Sequence, residues 1–423
     1  VLVFISSSIG YGVIFSKIFE KEFLKLNLGY IGIIGIFFLT FISAITSFFY
    51  PHNFYHNTIL HLVGLVSFLF FIKDVVKKDY ALCLVMISVM ILGVFIFKNH
   101  DDFPYYHLTY ALNLSENSFL IGTGAFGHGF RTPSSMFYYH SILYMPGIKY
   151  FLFHTGPFFI LYFFNIIILS NIIEKLKKKN FDFLYFLSLL SFIFINIVFY
   201  RISEHGTDRS SQILLIIIFL LFFEILYTKE KNKNFLINLF FLIIALAASI
   251  KVLYYIYFSL ALFLFLEKKI NFNYFLKQFT FLLIIFLFSS VFISKSFFST
   301  GCLAYPAEKT CFEKFEWSMP KSTVKKMSTH YEWWAKSGGG PNYKHKLSKE
   351  EYIKNFNWVQ NWYKRHFIGK ISDTLGGIFL ITLVVILLFN GPSNKKIKRK
   401  NFKIYCVIPL LFLLEWFLNH PSM

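Results

Sequence analysis

Residues 234–266 read NFLINLFFLIIALAASIKVLYYIYFSLALFLFL, with Lys251 the only charge. A bilayer crossing takes about 20 apolar residues. The stretch is therefore one long kinked element or a tight hairpin of two spans. The same texture extends over most of the chain, with apolar runs at roughly 1–17, 29–50, 58–73, 80–97, 157–173, 181–200, 211–228, 234–249, 251–267, 277–294, 371–390 and 402–418. Of 423 residues, 56% are hydrophobic, 22% aromatic and only 15% charged. A soluble domain carries about 25% charged residues, so a soluble enzyme, a disordered chain and a disulfide scaffold are excluded. The expected fold is an all-α polytopic membrane bundle of about twelve spans. Residue 1 is Val and the chain stops just after a span, which reads as a fragment cut at both ends.

The net charge is +20, and of the 42 basic residues all but Arg131, Arg201, Arg209, Arg365 and Arg399 are lysine. Their positions alternate. Lys21 and Lys25, Lys73 to Lys78, Lys175 to Lys179, Lys229 to Lys233, Lys268 and Lys269, and Lys395 to Lys400 fill every second connection. The intervening connections 51–56, 201–210 and 98–156 are poor in lysine and arginine. The positive-inside rule then places the lysine clusters in the cytoplasm and the long hydrophilic loops outside. Scattered over six loops, these clusters serve as orientation signals and anionic-lipid contacts, and nucleic acid is not an expected partner. The organisation expected is N-terminal spans over 1–97, an outward loop over 98–156, a membrane core over 157–294, an outward soluble loop over 295–370 and C-terminal spans over 371–423.

Chemistry should concentrate in three outward loops. The first opens N-H-D-D-F-P-Y-Y-H over residues 99–107. An Asp before Pro104 suits a helix N-cap, yet two adjacent carboxylates exceed that need. Asp101 and Asp102 are candidates for a base that deprotonates a hydroxyl, with His100, Tyr106 and His107 beside them. Tyr106, Tyr110 and Asn113 share a helical face that suits either a sugar ring or the membrane interface. Residues 122–127 formally match G-x-G-x-x-G, but the βαβ context of a dinucleotide site is missing. A glycine loop with His128 and Arg131 could instead hold a phosphate, and Thr132, Ser134 and Ser135 read as the start of the next helix. Five of the thirteen histidines lie in 98–156 without metal-ligand spacing, so no metal or other cofactor is assigned.

The second loop packs Arg201, Glu204, His205, Asp208 and Arg209 between two spans, as a salt-bridge set or a second site element. Within the spans, Glu224, Lys251 and Glu415 stand close to membrane ends and read as snorkelling or end-of-helix groups. The third loop holds Cys302 and Cys311, which on an oxidising face read as a disulfide. It also holds five of the six tryptophans, read as interface anchors.

These motifs carry a resemblance. A span running into an acidic pair in the first large outward loop resembles the GT-C membrane glycosyltransferases, including protein mannosyltransferases and aminoarabinose transferases. NHDDFPYYHL at 99–108, SEHGTDR at 203–209 and GCLAYPAEKTCF at 301–312 are also similar to bacterial polytopic proteins associated with surface-polysaccharide genes. The resemblance spans about residues 80–423. It implies a GT-C-like core in the bacterial inner membrane and a periplasmic active face. A sugar would pass from a polyprenyl-phosphate donor to a glycan, lipid or protein hydroxyl, usually with inversion. Asp101 or Asp102 would be the base, and Arg131, Arg201 and Arg209 candidates for the donor phosphate. Two features depart from that family: four spans precede the acidic pair where one is usual, and the second acid is Asp where Glu is common. The alternatives are a lipid-linked oligosaccharide flippase, which needs a polar path through the spans, and an O-antigen polymerase or ligase, which needs no acidic pair.

Overall fold

The computed structural model describes residues 1–71, 73, 79–95, 102–198, 206–227, 234–337, 347–388, 402–419 and 421. Among these the regular structure is entirely helical, joined by turns and loops, and no β-strand forms. It divides into two compact units, Val1–Leu303 and Ala304–Met423.

The first unit contains α1 (Leu2–Phe19), α2 (Leu28–Thr46), α3 (Phe54–Phe71), α4 (Tyr80–Phe95), α5 (Leu108–Glu116), α6 (Ser135–Ser141), α7 (Gly156–Lys177), α8 (Phe183–Val198), α9 (Asp208–Tyr227), α10 (Asn234–Ile250), α11 (Leu260–Leu266), α12 (Phe272–Lys277) and α13 (Phe279–Thr300). Among the described residues six helical segments are long and apolar enough to cross a membrane: α1, α2, α3, Tyr150–Lys177 (α7 with the 3₁₀ turn before it), α9 and α13. The protein is therefore a helical membrane protein. Close packing of α1–α3 depends on glycine: a Cβ on Gly35 would lie 1.7 Å from the Ser8 carbonyl, and one on Gly10 1.9 Å from that of Gly64. With no hydrophobic drive between helices in lipid, such backbone approach supplies the dispersion contacts that hold spans together.

The stretch 234–266 resolves as a hairpin. α10 stops at Ile250, Lys251 is extended (φ −137, ψ 117), and a 3₁₀ helix over Val252–Ser259 leads back through α11. Phe241 stacks on Phe258 at 6.0 Å, pairing the two arms.

The spans sort the loops to two ends. At the lysine-rich end, Asn238 of α10 donates to Glu20 (2.7 Å) and Gln278 (2.8 Å) and accepts from Tyr274 (2.6 Å). Buried Asp79 accepts from the first amide of α2 and from Ser170 of α7. The opposite end gathers the 47–53 turn, α5, residues 122–131, α6 and the last turns of α13, through bonds such as His52 N to the Leu114 carbonyl (2.7 Å) and Gly122 N to the Phe298 carbonyl (2.8 Å). α13 runs on to Thr300 and is closed by Gly301 in the left-handed conformation (φ 81), the usual C′ device. Lys295 therefore sits on this helix, not in the soluble loop that was expected to begin there.

The second unit holds α14 (Lys321–Ser337), α15 (Lys349–Ile353), α16 (Val359–Trp362), α17 (Ser372–Leu388) and α18 (Phe402–Asn419). Trp333, Tyr352, Trp358 and Trp362 form its core, backed by Trp416 and Phe417. These tryptophans were expected as interface anchors; three of them are interior instead, because α14 to α16 are short and mostly polar and need large rings to fill a core.

Candidate functional site

One short helix organises the loop end. α6 reads SMFYYHS, is capped by Ser134, whose Oγ accepts from the Met136 amide, and all seven of its residues are buried. A helix apolar on every side must be packed on every side. Ser135 accepts from Ser249 of α10 (2.8 Å), Phe137 meets His107 and Tyr110, Tyr138 meets Tyr110 and Phe292, Tyr139 meets Ser8, and Ser141 meets His52.

On one side of α6 lies the acidic segment. Phe103–His107 forms a wide π-type turn, in which Tyr106 N and His107 N both reach the Asp102 carbonyl (3.1 and 3.4 Å). Such turns recur at functional sites because they re-aim side chains. The Tyr106 hydroxyl donates to the half-buried Asp102 carboxylate at 3.2 Å. Gly129 leaves room for the Tyr106 ring, where a Cβ would fall 1.8 Å from Cγ. His107 is buried edge-on to Tyr106 and against Phe137. Next to it, fully buried His140 is pushed down to about 3 by desolvation, with His107 and His154 adding to the effect. His100 and Asp101 lie outside the described residues. Tyr110, expected on an open face, is buried and stacked on Phe130 at 5.2 Å, so the tyrosine stripe is turned into the protein.

The glycine loop is anchored to α13. Thr123 donates to Ser299 (3.3 Å), and a Cβ on Gly124 would lie 2.7 Å from the Ser299 carbonyl. Four of its amides, at Gly122, Ala125, Phe126 and Phe130, already bond to carbonyls, so this stretch is a folded strap and not an open phosphate cradle. Arg131 is held through Nε on the Gly124 carbonyl (3.0 Å), whereas His128 is exposed.

The second loop element sits at the α9–α10 junction. Asp208 opens α9 and forms an ion pair with Lys251, the lysine that breaks α10. Lys251 is not a partner that the sequence names for Asp208; the pair forms because Lys251 ends α10 at the same end as the start of α9. Arg209 follows half-buried, and Arg201, Glu204 and His205 lie outside the described residues. α6 packs towards both segments, through Phe137 against His107 on one side and through Ser135 bonded to Ser249 of α10 on the other.

Two residues at this end were not singled out by the sequence reading. Lys295 is wholly buried, donates to Ser47 Oγ at 2.8 Å and lies 3.2 Å from the centre of the Phe48 ring and 3.9 Å from that of Phe119. Desolvated cation–π contacts of this kind are worth about 2 kcal/mol. His52 sits with Nε2 3.0 Å from the Ser43 carbonyl and Nδ1 2.6 Å from Ser141 Oγ. A carbonyl only accepts, so Nε2 carries the proton; the single Ser141 hydroxyl proton is shared between His52 Nδ1 and the Tyr138 carbonyl at 2.9 Å. Burial first, then His56, pushes its pKa down to about 3. A sequence signal did exist for Lys295, an uncompensated charge one turn from the end of a span, but nothing in the sequence tells which rings receive it.

Cys302 and Cys311 are disulfide-bonded, as expected. Among the described residues no group of three or more His, Cys, Asp or Glu side chains is arranged to hold a metal ion. No curated protein and no solved structure matches the chain. A family model does, over residues 1–423, and the chain belongs to that family, Domain of unknown function DUF8201.

Proposed function

We propose that the protein is a GT-C-type glycosyltransferase of the bacterial inner membrane, acting at the loop end on the periplasmic side. The observation that carries the reading is the Asp102 carboxylate: it follows α4 across a short connection, opens a π-type turn, and is held by the Tyr106 hydroxyl at 3.2 Å. A positioned carboxylate at a membrane boundary is the group such a transfer requires. Asp102, or Asp101 before it, takes the proton of the acceptor hydroxyl. The acceptor oxygen then bonds to the anomeric carbon from the face opposite the donor phosphate. The carbon–oxygen bond to phosphate breaks, and the polyprenyl phosphate departs with the electron pair and with inversion. Arg131, Arg201 and Arg209 are the candidate cations for that phosphate.

Two further observations support the reading. Among the described residues six helices are long and apolar enough to cross, seven with the bent pair Val359–Gly369 and Ser372–Leu387, and the twelve crossings proposed require the five shorter apolar helices to cross as well. The shorter ones would require local thinning of the bilayer. The lysine-rich and loop-rich ends also alternate as a cytoplasmic and a periplasmic face require.

The test is turnover of polyprenyl-phosphate sugars by the reconstituted protein. Substituting the true base, Asp101→Asn or Asp102→Asn, should lower kcat by about 10²–10⁴-fold, the usual worth of general base catalysis. Full activity in both single variants and in the double variant would overturn the mechanism.

A further inference from the structure

We infer that the segment leading into α17 is a headgroup-binding collar for anionic phospholipids. The inference uses the membrane placement but not the chemistry proposed above, and it is read out without turnover.

α17 is an apolar helix whose outer side is bare: Leu375 is 51% exposed, Phe379 66% and Leu380 61%. Only acyl chains would cover such a face. Upstream, Val359–Gly369 and Ser372–Leu387 meet at a 47° bend. The bare apolar side continues across it through Ile368, half exposed, and Tyr363, which stacks on Phe367 at 5.3 Å. Directly above Ile368, one helical turn away, Lys364 and Arg365 are both exposed. The opposite side of the segment is fixed to the protein, because Trp362 is buried and donates through Nε1 to the Pro421 carbonyl at 2.8 Å. One face thus packs inward, while the other carries apolar side chains below and cations above. That is the profile of an amphipathic segment at a lipid boundary.

The charge selects the lipid. Between residues 359 and 388 the sequence places Lys364, Arg365 and Lys370 against the single acid Asp373. Exposed cations at the level of the bend are placed to meet a ligand of opposite charge, and the one that a membrane offers there is a lipid phosphate. Each Lys or Arg near an anionic surface is worth about 1 kcal/mol, roughly fivefold in affinity.

The experiment places the full chain in nanodiscs of phosphatidylglycerol mixed with phosphatidylcholine. Native mass spectrometry then counts the lipids retained. The parent should retain phosphatidylglycerol over phosphatidylcholine. Lys364→Gln combined with Arg365→Gln should cut that preference by roughly 30-fold, the product of two fivefold terms. Lys364→Arg should keep it. If the double variant fails to fold, Lys364→Gln alone decides, with a loss of roughly fivefold. Equal retention of the two lipids by the parent would overturn the inference. So would an unchanged preference in the folded variants, or complete displacement of the lipid by free glycerol phosphate, which would mark a soluble-phosphate site instead. Phosphatidylglycerol-dependent dimers with no lipid retained would overturn it in favour of a contact between copies.

Discussion

The two ends of the first unit close in different ways. At the lysine-rich end the buried polar groups are short and fully matched. The Asn238 amide bonds to Glu20, Gln278 and Tyr274, while Asp79 serves one backbone amide and one serine. At the loop end the buried polar groups are titratable: His52, His107 and His140, with Lys295 among rings. The Asn238 amide carries no charge at any pH, so its bonds do not depend on its own protonation, whereas buried imidazoles hold together only while neutral. The first arrangement suits a structural closure. The second costs stability, and groups perturbed in this way cluster at functional sites in proteins generally.

The largest way to separate the ends is acid. His52 and His140, both pushed down to about 3, stay neutral in the folded protein, whereas in the unfolded chain each takes a proton near the ordinary 6.5. Their depressed values therefore leave stability intact above pH 6.5 and remove it as pH falls from there towards 3. The loss is about 1.4 kcal/mol per pH unit for each histidine. Melting temperatures followed from pH 7.5 to 4.5 should fall steeply, and substituting His140 with Phe should flatten the slope. A pH-independent melt would erase the distinction between the ends.

Asn238→Ala probes the other closure. It leaves Glu20, Gln278 and Tyr274 without their shared amide and should cost about 1–3 kcal/mol at every pH, visible as a uniform drop in melting temperature. A pH-dependent cost there would contradict the contrast.

Lys295 sharpens the comparison further. Replacing a buried charge by an apolar side chain of similar length is often neutral. Lys295→Met should therefore change stability by less than about 1 kcal/mol, while Lys295→Ala, which opens a cavity, should cost about 2–4 kcal/mol. Equal losses in both would mean that the ammonium itself holds the 47–53 turn to α13. The smallest effect belongs to the Asp208–Lys251 pair, whose side chains are 56% and 34% exposed. Asp208→Asn should cost under about 1 kcal/mol by chemical denaturation, and a larger loss would promote the pair from surface tie to structural lock.

Much of this was legible in advance. Apolar runs of span length declare helices wherever they stand, and each of the twelve runs has a helical counterpart among the described residues. The helix start at Ser134 was readable from its capping chemistry, and the Cys302–Cys311 pair from spacing and context. What stayed hidden depended on partners far along the chain. Ser141 meets a histidine 89 residues away and Lys295 a serine 248 residues away. Tyr110 looks like a surface tyrosine until Phe130, Phe137 and Tyr138 close over it.

The amino-acid sequence by itself determined that this is a helical membrane protein, which end carries its lysines, and where its acids and arginines cluster. Those properties follow from local composition, because a bilayer responds to each segment's own hydropathy and flanking charge. Only the tertiary structure decided that 234–266 folds back on itself. It alone decided that Lys251 answers Asp208, that the glycine loop is a strap, and that one seven-residue helix ties the histidines, tyrosines and serines of the loop end together. Those are pairings between distant residues, fixed by packing and hydrogen-bond satisfaction across the whole bundle.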